Sequence, residues 1–196
     1  MPELNDNKQK LALSALELFA ERGFAGTSIR DIANATGLSL SNIYHHFGNK
    51  EGLLLAILET ASSKLLQSLK EAAAQEGDPM ERFKNLFRTH LELSCLLTRE
   101  AKIFFLDEEH LSPEGHRVNL KYQREILDIY RGQLRDLQEA GLVRFKSITI
   151  AAFNILGVLN WHLRWYQPDG EMSFEEIYEE VIGFVVHGIS GPRGRG

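Results

Sequence analysis

Cysteine is almost missing from these 196 residues. Cys95 stands alone, so no internal disulfide can form, and a reducing, cytoplasmic setting is expected. Glycine and proline are scattered and β-branched runs are few, which argues against a chain of short strands. The most apolar run, around Ile148 to Trp161, is interrupted by Asn154 and Asn160 and is too short to span a bilayer. Met1 to Gln9 is polar and acidic, so no secretory leader is expected there. No Gly-rich phosphate loop, no HExxH and no cysteine pair for zinc occurs, and no nucleophile–base pair stands out. An enzyme is therefore not expected, nor a resident cofactor or metal. His110 and His116 flank the acidic Glu108-Glu109, but their separation crosses Pro113, a poor frame for a metal. Cys95 within a helix is read as packing before sensing.

A basic excess is lacking too. Net charge is −5, and over the first 52 residues five cations (Lys8, Lys10, Arg22, Arg30, Lys50) face six acids (Glu3, Asp6, Glu17, Glu21, Asp31, Glu51). A nucleic-acid binder usually carries a basic footprint. If this chain is one, Arg30, Lys50 and the histidines must share a face, helped by neutral donors and helix N-termini. Modest non-specific affinity and a shallow salt dependence are then expected.

What remains is ordinary for a globular protein: 43% hydrophobic and 25% charged residues. Apolar residues recur at spacings of three and four, so the fold class is all-α. Residues 27–50, TSIRDIANATGLSLSNIYHHFGNK, are the most informative stretch. Ser28 with Asp31 fits a capping box, so a helix is predicted from there to about Ala35, with Ile29, Ile32, Ala33 and Ala35 as its apolar stripe. Thr36-Gly37 stops it, and Ser39 caps a second helix over Leu40 to about Phe47. Ala33, Gly37 and Ile43 supply the small contact, the turn and the β-branched anchor of a helix-turn-helix. The second helix then turns Ser41, Asn42, Tyr44, His45 and His46 outward, with Ile43 and Phe47 inward. Those types suit DNA: Asn pairs with adenine, Ser with either base type, and Tyr and His with phosphates or a thymine methyl. Lys50, behind the Asn49 cap, adds a cation to a helix N-terminus that attracts phosphate.

A helix before this motif, about Asn7 to Arg22 with Leu11, Ala12, Ala15, Leu16 and Phe19 buried, and Leu53 and Leu54 after it, complete a three-helix unit. The run from Ala15 to Leu58 is similar almost position by position to the DNA-binding domain of TetR-family bacterial regulators, at Phe19, Gly23, Thr27, Ile32, Ala33, Gly37, Tyr44, His46, Phe47, Lys50 and Leu53 among others. The resemblance implies that Thr27, Ser28, Tyr44, His46 and Lys50 hold phosphates. It implies that Arg30, Leu40, Ser41, Asn42 and His45 face bases in the major groove. Two departures stand out. Leu40 offers only contact with a thymine methyl. Gly52 replaces a helix-favouring residue and is expected to loosen the first turn of its helix.

Beyond the head, helices are predicted over Lys50 to Gln75, Asp78-Pro79 to Leu97, Arg99 to Leu106, Ser112-Pro113 to Ala140, Ser147 to Tyr166 and Ser173 to His187. The total is about nine. The resemblance implies that the last two, with Ile150, Phe153 and Phe184 among their apolar residues, pair with a second copy in a four-helix bundle. The domains are then 1–52, a helix-turn-helix DNA-binding domain; 53–190, a ligand-binding and dimerisation domain; and 191–196, a flexible basic tail. Residues from Ile155 to Ile189 further resemble regulators of fatty-acid, steroid and acyl-CoA catabolism. A fatty acyl-CoA or fatty acid as effector implies an apolar cavity lined by Phe83, Phe87, Leu91, Phe104, Phe105 and Phe153. Arg124, Arg131 and Arg164, with Trp165, would meet a CoA head.

The expected function is a homodimeric repressor released from a palindromic DNA operator by a small-molecule effector. The alternative is the same fold without such a ligand, acting through protein partners; a third, a helical binding protein whose head no longer reads DNA, is opposed by the intact Tyr44, His46 and Lys50.

Overall fold

The structure, a computed structural model, describes residues 6–96, 111–167 and 169–190. Among these residues the chain forms eight α-helices and a short 3-10 turn, and no strand. The helices are α1 (Asp6–Arg22), α2 (Ile29–Thr36), α3 (Leu40–Phe47), α4 (Lys50–Ala73), α5 (Pro79–Leu96), α6 (Pro113–Glu139), α7 (Ile148–Trp161) and α8 (Phe174–Ser190). The 3-10 turn is His162–Arg164. The all-α class expected from apolar spacing holds. The short helix expected over 99–106 lies outside the described residues, as do Phe104, Phe105, Glu108, Glu109, His110 and the tail over 191–196.

Two compact units divide the chain: Met1–Ser63 with Leu97–Lys121, and Lys64–Leu96 with Tyr122–Gly196. The first reaches well past residue 52, because Leu53, Leu54, Ile57 and Leu58 on the first half of α4 are buried with Leu11, Phe19, Ile32 and Ile43. Each such Leu, Ile or Phe stabilises the unit by about 1.5–3 kcal/mol through removal from water. Leu111, distant in sequence, joins the same core. Beside it, Oε1 of Glu51 accepts the Ser112 amide at 2.7 Å, which satisfies a donor at the start of α6.

The second unit is built on Leu69, Phe83, Phe87, Leu91, Tyr130, Leu134, Ile155 and Leu159, all buried. Local chemistry starts its helices where the sequence suggested. Asp78 Oδ1 accepts the amides of Met80 and Glu81 at 2.9 and 3.0 Å. Ser147 Oγ accepts that of Ile150 at 3.3 Å. Ser173 and Glu176 form a reciprocal capping box at the head of α8. At the surface, Arg88 pairs with Glu175 and sets its guanidinium 4.9 Å from the ring centre of Tyr178, tying α5 to α8. Arg82 donates to Gln133 and Asp136 at 3.0 and 2.9 Å, and Gln133 donates to the Ala73 carbonyl at 3.3 Å, so the end of α4 is held to α5 and α6.

One helix stops early. The helix expected to run to Tyr166 ends at Trp161 and tightens into the 3-10 turn. There the His162 carbonyl accepts the amides of Trp165 and Tyr166 at 3.1 and 2.8 Å. This tightening leaves the His162 ring buried, 1% exposed, against the carbonyl of Leu159.

Candidate nucleic-acid interface

The reading surface begins with a cap. Ser28, extended at φ −100° and ψ 158°, accepts the Asp31 amide on Oγ, and Asp31 Oδ2 accepts the Ser28 amide at 2.8 Å. The Ser28 hydroxyl, donating to the same Oδ2 at 2.6 Å, and then the Ser28 amide hold the Asp31 carboxyl below the usual carboxylate range. Gly37 closes α2 at φ 69°, a left-handed conformation that suits glycine. Ser39 Oγ then accepts the Asn42 amide at 3.3 Å to start α3, and Gly48 ends it at φ 76°. Ile32, Ala33 and Ile43 are buried between the helices and fix their crossing.

The opposite face of α3 is open. Ser41 and His45 are exposed, Leu40 is 38% and Tyr44 53% exposed, and Asn42 and His46 are half-buried. Ser28 and Arg30 are exposed at the start of α2. The His45 and His46 rings lie 5.1 Å apart, and His46 lies edge-on to Phe47 at 6.1 Å. The face offers neutral donors and acceptors with little fixed charge.

Two nominated phosphate ligands are otherwise engaged. Thr27 is 1% exposed, and its hydroxyl lies 3.1 Å from the Leu18 carbonyl and 3.0 Å from that of Gly23. It joins α1 to the turn and has no surface to offer DNA, so that assignment is corrected. Lys50 directs its ammonium inward, donating to the carbonyls of Phe24 and Thr27 at 2.8 and 3.0 Å over the Phe24 ring. Its first task is to hold the α1–α2 connection against α4.

Among the described residues, those nominated for the ligand do not line one cavity; Phe104 and Phe105 lie outside the described residues. Phe83, Phe87 and Leu91 are fully buried as ordinary core. Phe153 is 54% exposed on α7, and Arg124 is exposed on α6. Arg131 donates to Asp128 at 2.9 Å on its own helix. Arg164 lies 5.7 Å from the ring centre of Trp161, next to the half-exposed Trp165. These last two remain together at the end of α7. The second unit also has an open groove of about 950 Å³, lined by Met80, Gln138, Leu142, Phe145, Val186 and His187 among others, and it contains none of the nominated residues. Sequence reasoning did not nominate His90, Tyr130 and His162, which are buried in the second unit with His90 Nδ1 3.0 Å from the Tyr130 hydroxyl. The available signal was a histidine on an otherwise apolar stripe of α5.

Residues 13–57 match the profile of "Bacterial regulatory proteins, tetR family", and residues 76–189 match that of "Tetracyclin repressor-like, C-terminal domain". The chain belongs to the TetR family. It is a DNA-binding transcriptional regulator of that family, whose members are regulators and not enzymes. Among TetR relatives, the HTH-type transcriptional repressor KstR2 of Rhodococcus jostii (strain RHA1) is 28% identical over 180 residues, covering 91% of this chain and 88% of that protein. A crystal structure of a TetR/AcrR-family regulator from Thermobifida fusca is 30% identical with a TM-score of 0.77, covering 97% of this chain and all of that one. The structure of AibR in complex with isovaleryl coenzyme A and operator DNA is 26% identical with a TM-score of 0.83, covering 91% of this chain and 97% of that one. Among the described residues no helix is long and apolar enough to cross a membrane. Nor do they hold a cluster of three or more His, Cys, Asp or Glu side chains fit for a metal.

Proposed function

We propose that this regulator is a homodimeric repressor that leaves a palindromic operator when it binds an acyl-CoA. The observation that carries the reading is the open polar face of α3, set beside a likeness to AibR, a protein crystallised with both an acyl-CoA and its operator. The likeness to KstR2, a repressor, supports the sign of regulation. Arg30, Leu40, Ser41, Asn42 and His45 read base edges, and Ser28, Tyr44 and His46 hold phosphates. Lys50 acts mainly by fixing the head.

Dimerisation is supported by the apolar side chains that α7 and α8 leave in solvent: Ile150 at 58%, Phe153 at 54%, Trp161 at 63% and Phe184 at 70% exposure. A two-fold pair sets the reading helices about 34–36 Å apart, one turn of duplex. Release by a hundredfold requires about 2.7 kcal/mol of coupling between the effector and operator sites. The effector supplies it by binding the DNA-free form more tightly. The scatter of the nominated pocket residues favours a second reading, in which protein partners and not a small molecule release the DNA.

Gel shift on an operator selected from genomic fragments, with acyl-CoAs of graded length, decides between them. Release by one chain-length range supports the acyl-CoA reading, and retention of the operator by saturating amounts of every acyl-CoA sinks it. In parallel, Tyr44→Ala is expected to weaken operator binding at least tenfold with the oligomeric state kept; unchanged affinity moves the reading surface elsewhere.

A further inference from the structure

The head is short of cations where the reading helix needs them. Its first 52 residues hold Lys8, Lys10, Arg22, Arg30 and Lys50, and Lys50 commits its ammonium to the carbonyls of Phe24 and Thr27. α3 itself carries no lysine or arginine. Arg30 stands at the start of α2. The C-terminal end of α3 is thus left without the phosphate ligand that the sequence placed there at Lys50.

α1 supplies another cation at that end. Nζ of Lys8 lies 5.8 Å from the ring centre of Phe47, the last residue of α3. His46 meets the same ring edge-on at 6.1 Å, and the His45 ring lies 5.1 Å from that of His46. Lys8, Phe47, His46 and His45 therefore form one row from α1 to the open face of α3. Lys8 and Phe47 are both half-buried, and among the described residues no hydrogen bond or ion pair engages the ammonium. A cation–π contact in reach of solvent is weak and uses none of the three N–H donors, so the ring places the ammonium without satisfying it. Lys50 is the opposite case, with two carbonyls already accepting from it. A charge-assisted hydrogen bond to a phosphate is the stronger interaction still open to Lys8. Standing on a different helix, at the edge of the reading face, it meets the duplex backbone as a point charge and carries no sequence information.

We propose that Lys8 is a phosphate ligand of the operator, held at the edge of the reading face by the Phe47 ring and one ring away from His46. This assignment rests on α3 as the reading helix and adds a contact from outside the helix-turn-helix. Each phosphate neutralised on duplex DNA steepens the fall of log K with log salt by about 0.9. Taken over the decade from about 1 M to 0.1 M salt, that slope is about eightfold in affinity per protomer. In a head with so few available cations, one such contact is a large share of the whole salt dependence.

The test measures binding of the full-length protein to the operator duplex selected from genomic fragments, and to a scrambled duplex of the same length, by fluorescence anisotropy between about 50 and 200 mM salt. Lys8→Met keeps an unbranched stem over the Phe47 ring and removes the charge. It is expected to flatten the salt slope by about 0.9 per protomer and to weaken both duplexes by the same factor, and Lys8→Arg should restore both. An unchanged slope in Lys8→Met overturns the proposal even if affinity falls. A loss confined to the operator also overturns it, since that marks a base contact. Urea unfolding of the same variants identifies a mere brace: a lower midpoint with the slope kept overturns the proposal too. Tyr44→Ala is measured alongside. If it weakens binding while Lys8→Met leaves the slope alone, the Lys8 contact falls by itself; if neither variant changes binding, the reading face on α3 falls with it.

Discussion

Nζ of Lys50 lies 2.8 Å from the carbonyl oxygen of Phe24 and 4.1 Å from the centre of its ring, so the ammonium meets both the backbone and the face of one residue. A lysine expected at the DNA is thereby an internal brace of the head. Lys50→Ala is expected to cost about 1.5–3 kcal/mol of stability, the range for hydrogen bonds to a charged group. The measurement is urea unfolding beside operator affinity. An unchanged midpoint with weakened DNA binding would return Lys50 to the role of a phosphate ligand.

Gly52 reverses a propensity argument. Helix propensity alone says that Gly52→Ala gains up to about 1 kcal/mol. A Cβ at this position would stand 2.0 Å from the Phe47 carbonyl oxygen and 3.2 Å from its carbon. That atom is backbone at the end of α3 and cannot swing aside as a side chain can. Gly52→Ala should therefore destabilise the head, by about 1–3 kcal/mol as overpacking does. A raised melting temperature in the alanine variant would show that the turn yields easily and that glycine there is a mere weakness, as the sequence alone suggested.

Phe184, 70% exposed on α8, tests the dimer. Phe184→Arg places a cation in the centre of the proposed bundle and removes nothing from the core of the monomer. Light scattering is expected to report a monomer with the wild-type circular dichroism spectrum, and operator affinity should fall because two half-sites are no longer linked. A variant that still runs as a dimer would mean that α8 is not the interface.

Acid should expose the buried histidines. Burial, with His162 nearby, pushes the His90 imidazole down to about 3. The unfolded chain takes up a proton near pH 6.5 that the folded chain refuses, so this contribution to stability is complete above about pH 6.5 and is lost as pH falls from there toward 3. The slope is about 1.4 kcal/mol per pH unit below about pH 6, and His162, lowered in the same direction by burial, adds to it. Asp31, Glu175 and Glu176 are held below the usual carboxylate range, so their contributions fade only at lower pH. Urea unfolding at pH 7.5 and 5.0 should show a marked loss for the wild type and a smaller one for His90→Gln. Parallel losses in the two proteins would rule out His90 as a source.

What is local could be read from the residues alone. Serine caps with acids three residues on, glycines able to take φ near +70°, and apolar spacings of three and four placed α2, α3 and α8 within a few residues, because each signal acts within one helical turn. The residues also showed which side of α3 faces out, since Ile43 and its neighbours leave only one side for the core. The tertiary structure alone decided which polar groups on that unit are free. Thr27 and Lys50 find their partners 9 and 26 residues away, across contacts set by the angle between helices. For the same reason Phe83 became core and Phe153 surface. A helix stripe tells that a face is apolar, but only the packing of several helices tells whether that face meets a core, a second subunit or a ligand.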